Sequence, residues 1–512
     1  MVWFADCSQA EIATMLDFGR GVVMREVVEC AEKLVNGLGL GAITSTTYPT
    51  ACAARLRDEH GRPVFPGALE WLRNNQYADG SWGSAVVSAQ DRLVSTCAAI
   101  DALSGETAPW ARAAVAAGVS YLNDLADWRY QAHEELMAFE LMAAPLLERA
   151  RELGVAVPDE VATSVRRLRA EKLAKVPPRV LTTLSTPLLH AFDVLTDLIP
   201  VTAVARFALS DGSIAANPAA TASYWDATRD PAALAYLTRA TASTDDGGLP
   251  ECYPFEVFES AWVLYILTHA GITSPAVQAR LDWLARLAAH APHGLAATEA
   301  FDHPDGDDTA LAAHVLLASG RHEHILCDAL LEFESGDHFC TYSYERGASV
   351  SVTAHALQAL CQHGSGFSRQ IDNCTNFLLT ARHPGGWWTD KWHLSRYYPT
   401  AQAVFALGHT AVDKLADTWQ WLLETQNPDG TWGNASSKPE ETAHAALAVN
   451  VLAAHYGPPP GDALRRAHQF LGTVLDDDDL AQMWMGRSLH LPKTCVQATI
   501  LAAYAATSRA LD

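Results

Sequence analysis

The chain is short of positive charge. Its 512 residues carry 36 Lys and Arg against 59 Asp and Glu, a formal net charge of −23. Little basic surface is left to neutralise phosphates, which argues against nucleic acid and, more weakly, against anionic membrane surfaces. There is no uninterrupted apolar run of about 20 residues, and the N-terminus, Met1 to Cys7, has no basic start followed by an apolar stretch. A transmembrane span and a signal peptide are therefore not expected, and the expected compartment is the cytoplasm. None of the ten cysteines pairs with another at Cys-x-x-Cys spacing. That argues against a structural zinc site and against a thioredoxin-like motif. Most cysteines sit among Ala, Val and Leu, where a free thiol behaves as a small core group in a reducing compartment.

Strand-like alternation is scarce as well, and what remains reads as helix. Ala-rich segments with apolar residues at i, i+3, i+4 and i+7 recur, as in 264–270, 281–289 and 353–360. Hydrophobic residues make up 49% and charged residues 19%, which suits a globular chain of two domains or one large toroid. An internal repeat organises it. Gln76-Tyr-Ala-Asp79-Gly80-Ser81-Trp82-Gly83 matches Gln426-Asn-Pro-Asp429-Gly430-Thr431-Trp432-Gly433, and Ser210-Asp211-Gly212-Ser213 is a weaker copy. Helices that open on Thr follow at Thr309, Thr353, Thr400 and Thr442, in steps of about 45 residues that fit helical hairpins arranged in a ring.

The densest chemistry lies at His303-Pro-Asp305-Gly-Asp307-Asp308-Thr309-Ala310, a Pro/Gly turn leading into an apolar helix. Three carboxylates this close cannot all ionise cheaply, so at least one is expected to hold a proton near neutral pH. A carboxylic acid kept neutral in a dry site can protonate a weak base. The plainer alternative is a helix cap, with Asp308 capping from Thr309 onward.

The Asp-x-Asp-Asp-Thr-Ala string resembles the signature of class II terpene cyclases, and the Gln-x-x-Asp-Gly-Ser/Thr-Trp-Gly copies resemble their QW motif. The resemblance extends along the chain. It includes Gln90-Asp91-Arg92-Leu93, Ala138-Phe139-Glu140, Thr182-Thr183 with Leu188-Leu189-His190, and Leu249-Pro250-Glu251-Cys-Tyr253-Pro254. Asp390-Lys391-Trp392-His393 and Met485-Gly486-Arg487-Ser488-Leu489 are similar to bacterial members. It implies an all-α fold of two α/α-barrels, called β and γ, with no class I α domain. Residues 1–50 would begin the β domain, 51–274 would form the inserted γ domain, and 275–512 would complete β and carry the acid. The run Asp476 to Asp479 does not fit a class I metal motif and reads as a solvated loop or helix start.

The resemblance also implies a chemistry. Asp307 would donate a proton to an alkene, tuned by Asp305 and Asp308. Aromatic faces would then steer the cation without quenching it, with Trp262, Trp387, Trp388, Trp392, Tyr397 and Tyr398 as candidates. His190 with Glu251 would remove the last proton. The implied substrate is a prenyl diphosphate, held by Arg92, Lys391, Arg396 and Arg487 with Mg2+ on Asp91 and Glu140. The expected reaction turns geranylgeranyl diphosphate into a bicyclic labdane-type or rearranged diphosphate, with a class I terpene synthase acting downstream. Conversion of farnesyl diphosphate to a drimane-type diphosphate is the alternative within the class. A squalene–hopene cyclase fits less well, since the chain is short and has few QW copies. An α/α-toroid glycosidase would need two carboxylates across a cleft, not a contiguous triplet. A non-catalytic helical-repeat protein would explain the period but not the acids.

Overall fold

The computed structural model describes residues 25–124, 136–301, 303–321, 325–345 and 347–511. Residues 1–24, which contain Cys7 and begin the stretch assigned above to the β domain, lie outside it.

Six helices form a closed ring: Glu256–His269, Gly306–Ala318, Val350–His363, Tyr397–Leu407, Lys438–Tyr456 and Lys493–Ala510, each packed on the next and the last on the first. Their small residues allow this. Ala310, Ala312, Ala313, Ala354 and Ala356 are fully buried, so these helices are covered on nearly every side and show no polar stripe. An outer layer encloses the ring. Ala463–Thr473 is a clear case: Leu464, Ala467 and Leu471 are buried, while Arg465 and Arg466 face water, the spacing of a one-sided helix.

A second ring is built from Thr47–Ala54, Ala89–Ser104, Phe139–Glu152, the 3-10 segment Pro187–Val194 and Pro218–Thr228, and it too closes on itself. The fold is thus a double α/α-barrel, as the periodicity and resemblance implied. The chain passes between the barrels at two short strands that pair antiparallel, Ser45–Thr46 with Leu249–Pro250. The return crossing therefore falls just after residue 250 and not at 274. Helix Glu256–His269, placed in the inserted unit on sequence grounds, lines the first ring through Val257, Trp262, Leu264 and Leu267. Gly247, Gly248, Pro250 and Pro254 break the chain before it, but the helix is buried nearly all round and has no one-sided stripe to say which ring it lines.

The repeats have a mechanical role. The indole Nε1–H groups of Trp82, Trp388 and Trp432 donate to the carbonyls of Leu72, Leu378 and Leu422 at 2.7–2.8 Å. Gln76 and Gln426 each bridge two carbonyls, one on their own turn and one on the neighbouring outer helix, Ala114 O and Ala463 O. The helix-opening threonines each accept a backbone N–H from the preceding loop: Thr309 from Leu295, Thr353 from Phe339, Thr400 from Trp388 and Thr442 from Trp432, at 2.9–3.1 Å. Gly80 and Gly430 hold left-handed turns, with φ of 92° and 87°, where a Cβ would strike the next outer helix. Among the described residues no helix is long and apolar enough to cross a membrane.

This division between scaffold and surface is testable on adjacent tryptophans. Trp388→Phe removes a buried donor and strands the Leu378 carbonyl, so it should lower stability by about 1–3 kcal/mol. Trp387 is half-buried and stacks on His383, so Trp387→Phe should stay within roughly 0.5 kcal/mol. Urea unfolding midpoints of the two variants make the comparison.

Candidate active site

The triplet sits at the start of helix Gly306–Ala318, and its cap is Asp305, not Asp308. Asp305 Oδ1 accepts the backbone N–H groups of Asp307 and Asp308 at 2.9 and 2.8 Å. Burial pushes the Asp305 carboxyl up to about 7, against the hydrogen bonds it accepts. Burial and the neighbouring Asp305 push Asp308 well above the ordinary carboxylate range. Asp308 Oδ1 is buried without a partner. Two of the three carboxyls thus resist ionisation.

Asp307 is placed differently. Its side chain keeps 13% exposure, and its Oδ1 lies 2.6 Å from Nδ1 of the fully buried His355. The other ring nitrogen of His355, Nε2, faces Gln402 Oε1 at 3.1 Å, and that oxygen also accepts the Tyr265 hydroxyl at 2.8 Å. A carbonyl can only accept, so Nε2 carries a hydrogen and Nδ1 is the nitrogen that exchanges a proton with Asp307. His355 was not singled out in the sequence, although it lies two residues past the helix-opening Thr353. Its role depends on a contact across 48 positions.

An aromatic wall adjoins His355. Trp262 is 5.6 Å from the His355 ring, 5.7 Å from Tyr398 and 5.2 Å from Trp484, the last edge-to-face. Phe258 meets Trp484 at 5.9 Å. Trp262 and Tyr398 thus pack in one cluster beside His355, together with Phe258 and Trp484, which the sequence did not single out. Trp388 is withdrawn from this wall, because its indole is committed to the Leu378 carbonyl. Tyr397 faces outward and stacks on Trp421 at 4.9 Å. Trp392 is close to the acid turn. Its Nε1–H donates to Thr341 Oγ1 at 2.9 Å, and the Thr341 carbonyl accepts the Gly306 N–H at 2.7 Å.

The site lies at the seam of the two barrels. A small cavity of about 50 Å³ is lined by Asp305, His190, Phe301, His303 and Tyr342. A more open cavity of about 260 Å³ shares His303 and Tyr342 with it. A larger cavity, about 750 Å³, lies within the second barrel. Its wall pairs Arg55 and Arg149 with Asp101 and Arg169 with Asp197, and it reaches none of the three acids.

His190 faces the small cavity edge-on to Phe301, at 5.2 Å. Burial pushes its pKa down to about 3, so it is neutral, and its Nδ1 has no partner. Glu251 does not hydrogen-bond it. Glu251 accepts Arg487 N at 2.8 Å, the Ser488 hydroxyl at 2.8 Å and the Thr46 hydroxyl at 3.3 Å. Arg487 connects the two, since its guanidinium donates to the His190 carbonyl at 2.7 Å. The expected His–Glu pair is thus a relay through a third residue.

The diphosphate candidates are all engaged elsewhere. Arg487 is fully buried, doubly paired with Asp193 at 2.7 Å and stacked on Tyr48. Arg92 donates to Ser81 and to the Ser84 carbonyl and covers Tyr77. Lys391 pairs with Glu345 at 2.6 Å, and Arg396 lies over Trp387. The magnesium candidates do not fit either. Both Asp91 oxygens are filled by the N–H groups of Ser84 and Leu489 and the Ser95 hydroxyl, with the residue fully buried. Glu140 pairs with Lys172. No three His, Cys, Asp or Glu side chains among the described residues are grouped to hold a metal.

Comparison with known proteins agrees with this architecture. The sequence profile of the squalene-hopene cyclase C-terminal domain matches residues 345–453. The chain is 31% identical over 491 residues to a type B diterpene cyclase of Mycobacterium tuberculosis, covering 91% of this chain and 96% of that one. It is 32% identical to the labda-7,13-dienyl diphosphate synthase of Streptomyces clavuligerus, covering 95% and 94%. The solved ent-copalyl diphosphate synthase of Streptomyces platensis superposes with a TM-score of 0.79 at 28% identity, covering 95% of this chain and 99% of that one. With a double α/α-barrel, an acid triplet at its seam and relatives of this kind along nearly its whole length, the chain belongs to the bacterial diterpene cyclases and is a class II terpene cyclase.

Proposed function

We propose that the enzyme cyclises geranylgeranyl diphosphate to a bicyclic labdane-type or rearranged diphosphate, with Asp307 as the proton donor. The observation that carries this reading is the contrast within the triplet. Asp305 and Asp308 are buried and hard to ionise, whereas Asp307 alone keeps an exposed edge and a histidine partner. The relatives named for labdadienyl and copalyl diphosphates support the substrate class.

Asp307 delivers its proton to the terminal alkene and leaves a tertiary cation. The carboxylate that remains is stabilised by His355 and by the positive end of helix Gly306–Ala318. Two ring closures carry the cation past Trp262 and Tyr398, whose faces attract positive charge and offer no lone pair. His190 then takes the final proton. Its burial makes it a weak base, but a C–H next to a tertiary cation is so strong an acid that a neutral imidazole suffices. Glu251, with its oxygens filled, holds the Arg487–Ser488 turn in place. The diphosphate is never ionised, so the product is a substrate for an ionising class I synthase. Farnesyl diphosphate is the second reading.

Purified enzyme given the two prenyl diphosphates in competition, with products dephosphorylated and identified by mass spectrometry, tests the substrate. In that assay Asp307→Asn should fold normally and lose at least roughly 10²–10⁴ in rate. A near-wild-type rate would remove Asp307 as the donor.

The pH response has a defined sign. Folded Asp305 holds its proton up to about pH 7, while in the unfolded chain it ionises near pH 4. Its contribution to stability is therefore fully present below about pH 4 and is lost as pH rises through about 7. Asp305→Asn keeps the cap and cannot ionise. It should unfold at a higher temperature than wild type at pH 8 and show no such advantage at pH 4, as read by thermal scans. Wild-type kcat should fall over the same alkaline limb.

Termination is read separately. His190→Ala should still consume substrate and should change the product mixture, through hydride or methyl shifts or water capture. An unchanged single product would move deprotonation to another group.

A further inference from the structure

We infer that Glu440 is a positioning residue, polarising the aromatic wall from behind so that it holds the carbocation through ring closure. The inference rests on the cyclase reading above and adds a residue to it.

Glu440 lies on the inner helix Lys438–Tyr456 and is 3% exposed. Its Oε1 accepts the Trp484 indole N–H at 2.9 Å and faces His393 Nε2 at 3.0 Å. The Ser395 backbone N–H donates to His393 Nδ1 at 3.0 Å. Nδ1 is therefore the accepting nitrogen, and Nε2 carries the hydrogen given to Glu440. His393 in turn lies flat on Tyr398, with centroids 4.6 Å apart and planes 20° apart. His444 Nε2 is 3.7 Å away. Burial opposes the charge on Glu440, while His393 and His444 favour it and hold the carboxyl below its ordinary range. Its second oxygen is buried and has no hydrogen-bond partner.

Among the described residues no Lys or Arg pairs with Glu440. A lone carboxylate in an apolar interior is costly to keep ionised. Both wall rings are wired to it: Trp484 directly, and Tyr398 through the imidazole stacked on it. Pulling the indole hydrogen toward a full negative charge leaves more electron density on the ring. That deepens the attraction of its face for a cation. Trp484 also packs edge-to-face against Trp262, which adjoins His355 and the acid. The charge missing from this buried arrangement arrives with the protonated substrate.

The test compares wild type with Glu440→Gln, which keeps shape and an acceptor but removes the charge. The first readout is quenching of tryptophan fluorescence by dodecyltrimethylammonium, a hydrophobic cation, with dodecanol as the neutral control. The ammonium should bind the variant about thirtyfold more weakly, the effect of one unit charge at roughly 8 Å and an effective dielectric constant near 20. Dodecanol should bind both equally. The second readout is turnover of geranylgeranyl diphosphate. KM should hold, kcat should fall by a similar factor, and products should shift toward early-quenched monocyclic species. Trp484→Phe should reproduce part of the loss in wild type and add little in the Glu440→Gln background. It thus stands in if Glu440→Gln fails to fold. Equal ammonium affinities, or no ammonium binding to wild type, overturn the inference, as do unchanged kcat and products. If wild type leaves geranylgeranyl diphosphate intact while the ammonium still discriminates, the substrate reading fails and the polarising of the wall by Glu440 stands.

Discussion

Everything in this molecule depends on keeping carboxyl groups out of water. An acid strong enough to protonate an alkene ought to lose its proton to solvent first. The fold opposes ionisation of Asp305 and Asp308 by burying them at the start of helix Gly306–Ala318, one of the six that form the first ring. Burial raises the cost of their charge, and each would-be charge raises the cost of the next. Asp305 also caps the helix, so its side chain cannot swing toward solvent without uncovering two backbone N–H groups. The barrel makes this burial possible, since small residues let the six helices close tightly on one another.

The second dependence is the seam. The hairpin Trp484–Met485 and Leu489–His490 is a short tongue between the barrels. Trp484 faces the wall near the acid, while Met485 and Leu489 enter the core of the second barrel. Between them Arg487 is pinned by Asp193, and Glu251 gathers Arg487 N, Ser488 and Thr46. These buried polar groups are nearly all matched, which is what lets them reside at an interface of low polarity. The tongue thus sets the distance between the aromatic wall on one side and His190 on the other.

The repeated Trp, Gln, Asp-Gly and Thr positions announced the barrels, because each satisfies a fixed backbone group at a fixed spacing. The acid triplet was legible for the same reason: three carboxylates at one turn have local consequences. Basic and metal-binding roles were not legible. Arg92, Arg487, Asp91 and Glu140 all occur in segments that look functional, yet each is consumed by a structural partner, near in sequence for Arg92 with Ser81 and Ser84 but remote for others, such as Leu489 for Asp91 and Asp193 for Arg487. Trp387 and Trp388 show the limit at its smallest scale. They are adjacent in sequence, and one covers an arginine at the surface while the other is locked into the scaffold.

By itself the sequence determined the helical class, the ring architecture and the turn where three carboxyl groups crowd together. Those follow from periodicity, turn chemistry and like-charge crowding, all of which act over a few residues. Only the tertiary structure decided which carboxyl meets His355, which aromatics form the wall, and that Glu440 stands behind them. Those outcomes join positions about 40 to 240 residues apart, and no local spacing encodes a contact made by closing a ring.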